Sequence, residues 1–141
     1  MHSAETSHIF DGYLPDPAAS ASLHADAYTE TEWFERERRA VFAKTWQWLC
    51  HAEKLREPRS YLAADIGGMP IVAVRDKSDE LRAFYNVCQH RAHPLLEGHG
   101  SVSAIVCPYH AWTYSLDGKL AAARKTTHLL DFDVADVCLQ E

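Results

Sequence analysis

Two short boxes constrain this chain more than anything else in it. The first is Cys88-Gln89-His90-Arg91-Ala92-His93 and the second is Cys107-Pro108-Tyr109-His110-Ala111-Trp112, with sixteen residues between His90 and Cys107. They read C-x-H and C-x-x-H, so each supplies one thiolate and one imidazole. Each also follows a run with strand character, Ala83 to Val87 and Ser103 to Val106. Two loops at the ends of neighbouring strands can therefore close on one centre.

The donor set favours iron. A [2Fe-2S] core held by four thiolates is strongly anionic, and replacing two of them on one iron by neutral imidazoles removes charge and raises the potential. A set of two Cys and two His split evenly between two loops fits such a cluster, with Cys88 and Cys107 on one iron and His90 and His110 on the other. Zinc also takes two Cys and two His. Zinc sites group Cys with Cys and His with His, and the alternating order here counts against that alternative. His93, Glu97 and His99 lie close together in sequence beside the first box, but they read as a solvated loop, so no catalytic residue is assigned to them.

The rest of the chain supplies a scaffold. At 141 residues it is long enough for one domain with a real core. A net charge of -6, with Arg36, Arg38 and Arg39 interleaved with Glu35 and Glu37, argues against a nucleic-acid or anionic-membrane surface. No apolar run approaches the ~20 residues of a membrane span, and no signal peptide is evident, so a cytoplasmic location is expected. Four cysteines in that setting read as ligands or, for Cys50 and Cys138, as small buried hydrophobes. His51 and His128 show nothing beyond their type.

Residues 1–27 read as an arm and 28–141 as the domain proper. Thr29 and Glu32 form a capping-box pattern opening a helix that runs through Lys44. Trp46, Trp48 and Cys50 alternate with Gln47, Leu49 and His51 as a strand. Further strands are expected at Tyr61–Ile66, Pro70–Arg75, Leu81–Val87, Val102–Val106, Ala111–Ser115 and Lys119–Ala123. Turns fall at Gly67-Gly68, Asp76–Glu80 and Asp117-Gly118. The fold class is mainly β, a small antiparallel barrel or sandwich with an N-terminal helix.

With these residues in view, Asn86 to Leu95 and Cys107 to Tyr114 resemble the Rieske motifs of the α-subunits of Rieske non-heme iron oxygenases, the aromatic-ring-hydroxylating type. Glu37 to Trp48 is similar to the helix-and-strand lead-in of those subunits, and Leu116-Asp117-Gly118-Lys119-Leu120 matches the turn after their second box. The similarity covers about Tyr28 to Glu141. The run Cys107 to Tyr114 with Ala122-Ala123-Arg124 is most like enzymes of the quaternary-ammonium branch, such as carnitine or betaine monooxygenases. Ala92 departs from the Gly common in the family.

The resemblance implies a Rieske-type fold carrying a [2Fe-2S] cluster on Cys88, His90, Cys107 and His110, and an electron-transfer role as the N-terminal module of an oxidoreductase. A reductase or ferredoxin would be the electron donor. A mononuclear Fe(II) is expected only in a C-terminal catalytic domain missing from this chain, which would receive electrons within one subunit or from a neighbour in a homotrimer. Val137 to Glu141 reads as a strand leading toward that domain. A free-standing Rieske ferredoxin is the alternative, although such ferredoxins lack the Tyr28 to Trp48 lead-in; a structural zinc module is the third reading. Respiratory-type Rieske proteins carry an extra Cys in each box, forming a disulfide, where this chain has His93 and Tyr109. They also place a hydroxyl donor just after the second box, where this chain has Ala111-Trp112. Fewer hydrogen bonds to sulfur imply a potential in the lower third of the Rieske range of roughly −150 to +300 mV. Trp112 and Tyr109 are expected to shield the cluster, and Arg91 to meet a carboxylate on a partner.

Overall fold

Three turns organise the β structure, and each is made by the residues that favour it. The computed structural model describes residues 7–124, 126 and 131–141, so His128 lies outside the described residues. Its backbone divides into two units, Met1–Gln47 and Trp48–Glu141.

In the first unit a short helix α1 (Asp26–Thr29) is followed by α2 (Thr31–Ala40). The expected capping box does not form. The Thr29 hydroxyl donates to the Ala25 carbonyl at 3.2 Å, the i−4 bond open to Ser and Thr inside a helix, so it is not available as a cap. The backbone instead breaks at Glu30, which is extended (ψ 126°), and α2 restarts beyond it. That helix stops at Ala40 and only a 3-10 turn, Phe42–Lys44, continues it. Glu35 pairs with Arg38 at 2.7 Å along its exposed side.

In the second unit the order of strands is β3-β2-β1-β4 in one sheet and β5-β6-β7 in another, all antiparallel. The strands are β1 (Ser60–Ile66), β2 (Met69–Arg75), β3 (Leu81–Tyr85), β4 (His99–Ser101), β5 (Ile105–Val106), β6 (Thr113–Tyr114) and β7 (Leu120–Ala122). This is the mainly β, antiparallel class expected from the sequence. Residues Trp46 to His51 form no strand. Trp46 and Trp48 are 102% and 81% exposed, so the apolar alternation there has no sheet partner to bury it.

Val72 and Val74 of β2, Phe84 of β3, Ile105 of β5, Tyr114 of β6 and Leu120 of β7 are buried in one core to which both sheets contribute. Gly118 sits in the turn before β7 with φ +86°, and a Cβ there would come within 2.7 Å of Phe84 Cε1. Only glycine satisfies both demands. The C-terminal segment then laces the sheets together: the Leu139 N–H donates to the Gly118 carbonyl at 2.8 Å, and the Tyr85 N–H donates to the Gln140 carbonyl at 2.9 Å.

The hairpin loop between β2 and β3 is built on a buried carboxylate. Asp76 Oδ1 accepts from the Ser78 and Glu80 N–H groups at 2.7 and 2.9 Å, and Oδ2 accepts from Arg82 Nε at 3.0 Å. The Arg82 hydrogen bond, aided by the backbone donors, holds the Asp76 carboxyl below the ordinary carboxylate value. Its stabilising contribution is therefore complete above the unfolded-state pKa and is lost as pH falls through the lowered folded value. Asp76→Asn is expected to be less stable than the parent at neutral pH, with the gap closing on acidification; thermal melts across acid pH measure it, and a gap independent of pH would contradict this account.

Candidate metal centre

The two boxes fold into the same turn. In the first, the Cys88 N–H donates to the His93 carbonyl (2.9 Å) and the Ala92 N–H donates to the Cys88 carbonyl (2.9 Å). In the second, the Cys107 N–H donates to the Trp112 carbonyl (2.8 Å) and the Ala111 N–H donates to the Cys107 carbonyl (2.9 Å). The fifth residue of each, Ala92 with φ 53° and Ala111 with φ 57°, lies in the left-handed region. Closing so short a loop demands that conformation, which is why a glycine suits the position and why alanine there is strained.

Each loop is anchored at its base. Asn86 is buried; its Nδ2 donates to the Leu96 carbonyl at 2.7 Å and its Oδ1 accepts from the Leu95 and Leu96 N–H groups at 3.2 and 3.0 Å. One side chain thus ties the end of β3 to the chain returning from the first box. The second box hangs between β5 and β6, whose pairing sets Ile105 against Tyr114 and Val106 against Thr113.

Cys88 and Cys107 are each 2% exposed and belong to the apolar core, whereas His90 and His110 are half-buried beside a surface cavity of about 850 Å³. Arg91, Tyr109, Trp112 and Arg124 also border that cavity. The His90 and His110 rings meet edge-on with centroids 4.7 Å apart. His90 stacks on Trp112 at 4.8 Å with planes 9° apart, and Tyr109 lies against His110 at 3.8 Å. Trp112 and Tyr109 therefore cover the two imidazoles individually. His93 and Tyr109, at the positions where the respiratory proteins carry their disulfide, pack with ring centroids 5.6 Å apart.

This arrangement fits a two-metal group better than a single ion. The Nδ1 atom of His90 is buried and makes no hydrogen bond, an arrangement that costs free energy unless a ligand takes it up; His110 Nδ1 is buried as well. A tetrahedral zinc with bonds of about 2.0–2.3 Å would gather its four donors within roughly 3.8 Å of one another. Among the described residues, no three of these four side chains bring their donor atoms within 4.8 Å of one another. His93, Glu97 and His99 do not converge either; His93 Nδ1 lies 2.7 Å from the Pro94 carbonyl oxygen, its own neighbour.

Tyr114 is the residue that sequence reasoning missed. Its hydroxyl oxygen accepts the Gln89 N–H at 3.0 Å, which leaves the hydroxyl hydrogen for Cys88 Sγ, 3.3 Å away. Burial foremost, and then the interaction with Cys88, push the phenol well above its ordinary pKa, so it stays protonated and able to donate. The sulfurs thus have a hydroxyl partner after all, seven residues beyond Cys107 instead of directly after the box.

The strain at the twin turns is measurable. Relief of a left-handed alanine is worth about 1–2 kcal/mol, offset by about 0.4–1 kcal/mol of unfolded-state entropy gained with glycine. Ala92→Gly is expected to raise stability by roughly 0.5–1 kcal/mol; equilibrium denaturation of the metal-loaded protein tests this, and a loss of stability would refute the strain argument.

Residues 45–133 match the family model of the Rieske [2Fe-2S] domain. The chain is 49% identical over 124 residues to the carnitine monooxygenase oxygenase subunit of Acinetobacter baumannii, covering 87% of this chain and 33% of that protein. It resembles the crystal structure of a quaternary ammonium Rieske monooxygenase described for carnitine oxidation by gut microbiota and inter-subunit electron transfer. The TM-score is 0.77 and the identity 45%, over 82% of this chain and 32% of that one. Naphthalene 1,2-dioxygenase from Rhodococcus sp. superposes over 99% of this chain and 32% of its own, with TM-score 0.87 and 26% identity. The chain thus spans about a third of the length of the relatives it matches. Among the described residues, no helix is long and apolar enough to cross a membrane. With two Cys-His loops closed by the same turn and a match over 45–133, this chain belongs to the Rieske [2Fe-2S] family.

Proposed function

We propose that Cys88 and Cys107 ligate one iron and His90 and His110 the other, through Nδ1, and that this domain is the electron-transfer module of a Rieske non-heme iron oxygenase of the quaternary-ammonium branch. The observation that carries it is the division of the donors: two cysteines sealed in the core and two imidazoles beside a surface cavity, one of them with an orphaned buried nitrogen. When bound, a Rieske cluster supplies one-electron transfer at a potential that its ligands and their hydrogen bonds set.

The chain's own residues do the rest. The core excludes water from the thiolates. Trp112 and Tyr109 hold the two imidazoles in place at the rim, where a partner can approach closely. Arg91 and Arg124 give that rim positive charge, which suits an acidic surface on a partner. A reductase or ferredoxin as donor, a catalytic domain carrying mononuclear Fe(II) as acceptor, a homotrimer and a cytoplasmic setting complete the reading. It draws on relatives named as carnitine and choline monooxygenases. A domain organisation with residues 1–27 as an arm and 28–141 as the Rieske domain belongs to the same proposal.

Purified anaerobically, the protein is expected to hold about two irons and two acid-labile sulfides per chain and to be coloured. In protein-film voltammetry near neutral pH its midpoint is expected below about 0 mV, within the Rieske range. A colourless, iron-free protein with one zinc would overturn the ligand set, and a midpoint above about +150 mV would overturn the oxygenase assignment.

Tyr114 supplies a finer test. A hydrogen bond to the Cys88 sulfur favours the more negative, reduced state. Removing a bond worth about 1 kcal/mol shifts a one-electron couple by roughly 45 mV. Tyr114→Phe is thus expected to keep the cluster and lower its midpoint by roughly 30–60 mV; an unchanged potential would show that the hydroxyl does not act on the sulfur.

A further inference from the structure

Among the described residues outside the proposed iron-sulfur centre, one group of side chains brings its donor atoms close together as metal ligands do. His8 lies in a 3-10 turn, Ser7–Phe10, and Asp26 opens α1. His8 Nε2 lies 2.9 Å from Asp26 Oδ2, and His24 Nδ1 lies 3.2 Å from the same oxygen. The two imidazoles meet edge-on with centroids 5.4 Å apart, and the Asp26 N–H also approaches His24 Nδ1 at 3.4 Å. Among the described residues, this is the group of three whose ligand atoms all lie within 4.8 Å of one another.

We propose that His8, His24 and Asp26 form a binding site for Zn²⁺ that pins the N-terminal segment into its folded loop. Two imidazole nitrogens and one carboxylate oxygen are ligands that zinc accepts. With metal–donor bonds of about 2.0–2.2 Å, the edges of a tetrahedron around it measure roughly 3.3–3.6 Å. The observed N···O separations need to open by only a few tenths of an ångström, the step from direct contact to shared coordination.

The backbone already brings the ligands together without the metal. The His24 N–H donates to the Ile9 carbonyl at 3.1 Å, and the Ala21 N–H donates to the Gly12 carbonyl at 2.8 Å, closing the loop that separates the two histidines. Both imidazoles are about half exposed, so a metal ion can reach them from solvent. Bound zinc would replace the His8–Asp26 hydrogen bond and the His24–Asp26 contact by three coordinate bonds, and would stabilise the loop in proportion to its occupancy.

The test is calorimetric titration of the cluster-loaded chain with Zn²⁺ alone, in parent and in His8→Ala, His24→Ala and His51→Ala, the last an exposed histidine outside the site. About one saturable zinc per chain is expected, with affinity weakened at least about tenfold in each of the first two variants and unchanged in the third. X-ray absorption at the zinc edge of the parent is expected to show a nitrogen and oxygen shell with imidazole scattering. Absence of saturable binding up to about 1 mM zinc, unchanged affinity in the His8→Ala/His24→Ala double variant, or sulfur in the zinc shell would each overturn the proposal. Far-UV circular dichroism, which reads the helices of the first unit and is recorded on every variant, separates local loss of the site from loss of the fold. None of these outcomes depends on what the iron-sulfur centre does.

Discussion

Two thiol groups buried in an apolar core set the terms for everything around them. A thiolate in that environment is costly unless a metal takes its charge, which is what the proposed cluster would do, and the loops that carry Cys88 and Cys107 must be held in place for it. The chain holds them with backbone. Each cysteine donates its N–H across its own loop to a carbonyl five residues on, and Asn86 and the β5–β6 pairing clamp the loops from below. Because the loops are tied internally, the two sheets need only present their ends side by side. The rest of the β structure serves that placement.

The imidazoles obey a different requirement. They must be held but not sealed, and aromatic faces achieve this more cheaply than hydrogen bonds would. Trp112 stacks on one ring and Tyr109 lies on the other, leaving the cavity between Arg91 and Arg124 open. The result is a gradient from sealed cysteines to half-buried imidazoles across the centre. Tyr114 joins its two sides, since it reaches the Gln89 amide of the first box from a strand that follows the second.

Much of this was legible in the sequence because it is local. The boxes announce themselves by spacing, and β1, β2 and β3 by apolar runs between turn residues, with boundaries off by one or two positions. What the sequence concealed is tertiary. β4, His99–Ser101, is short and polar and exists because it pairs with β1. Trp46 and Trp48 have the period of a strand but lack a partner, and the Thr29 hydroxyl chose a carbonyl over a cap. The hydroxyl donor of Tyr114 was invisible for a related reason: seven residues of turn and strand carry it from Cys107 back to Cys88, a contact that no linear spacing encodes.

The left-handed backbone at residues 92 and 111 reaches beyond stability into how such a chain can drift. An alanine codon mutates in one step to glycine, serine, threonine, proline or valine, and to aspartate or glutamate according to its third base. Branched Val and Thr clash in that conformation and Pro cannot adopt it, while Gly enters freely and Asp is tolerated. Point mutation therefore meets a narrow gate at both loops, open chiefly toward the residue that relaxes the turn. A lineage that keeps alanine at both positions holds a mildly tense pair of loops, from which the branched and proline-bearing neighbours are closed off by backbone sterics before any question of electron transfer arises.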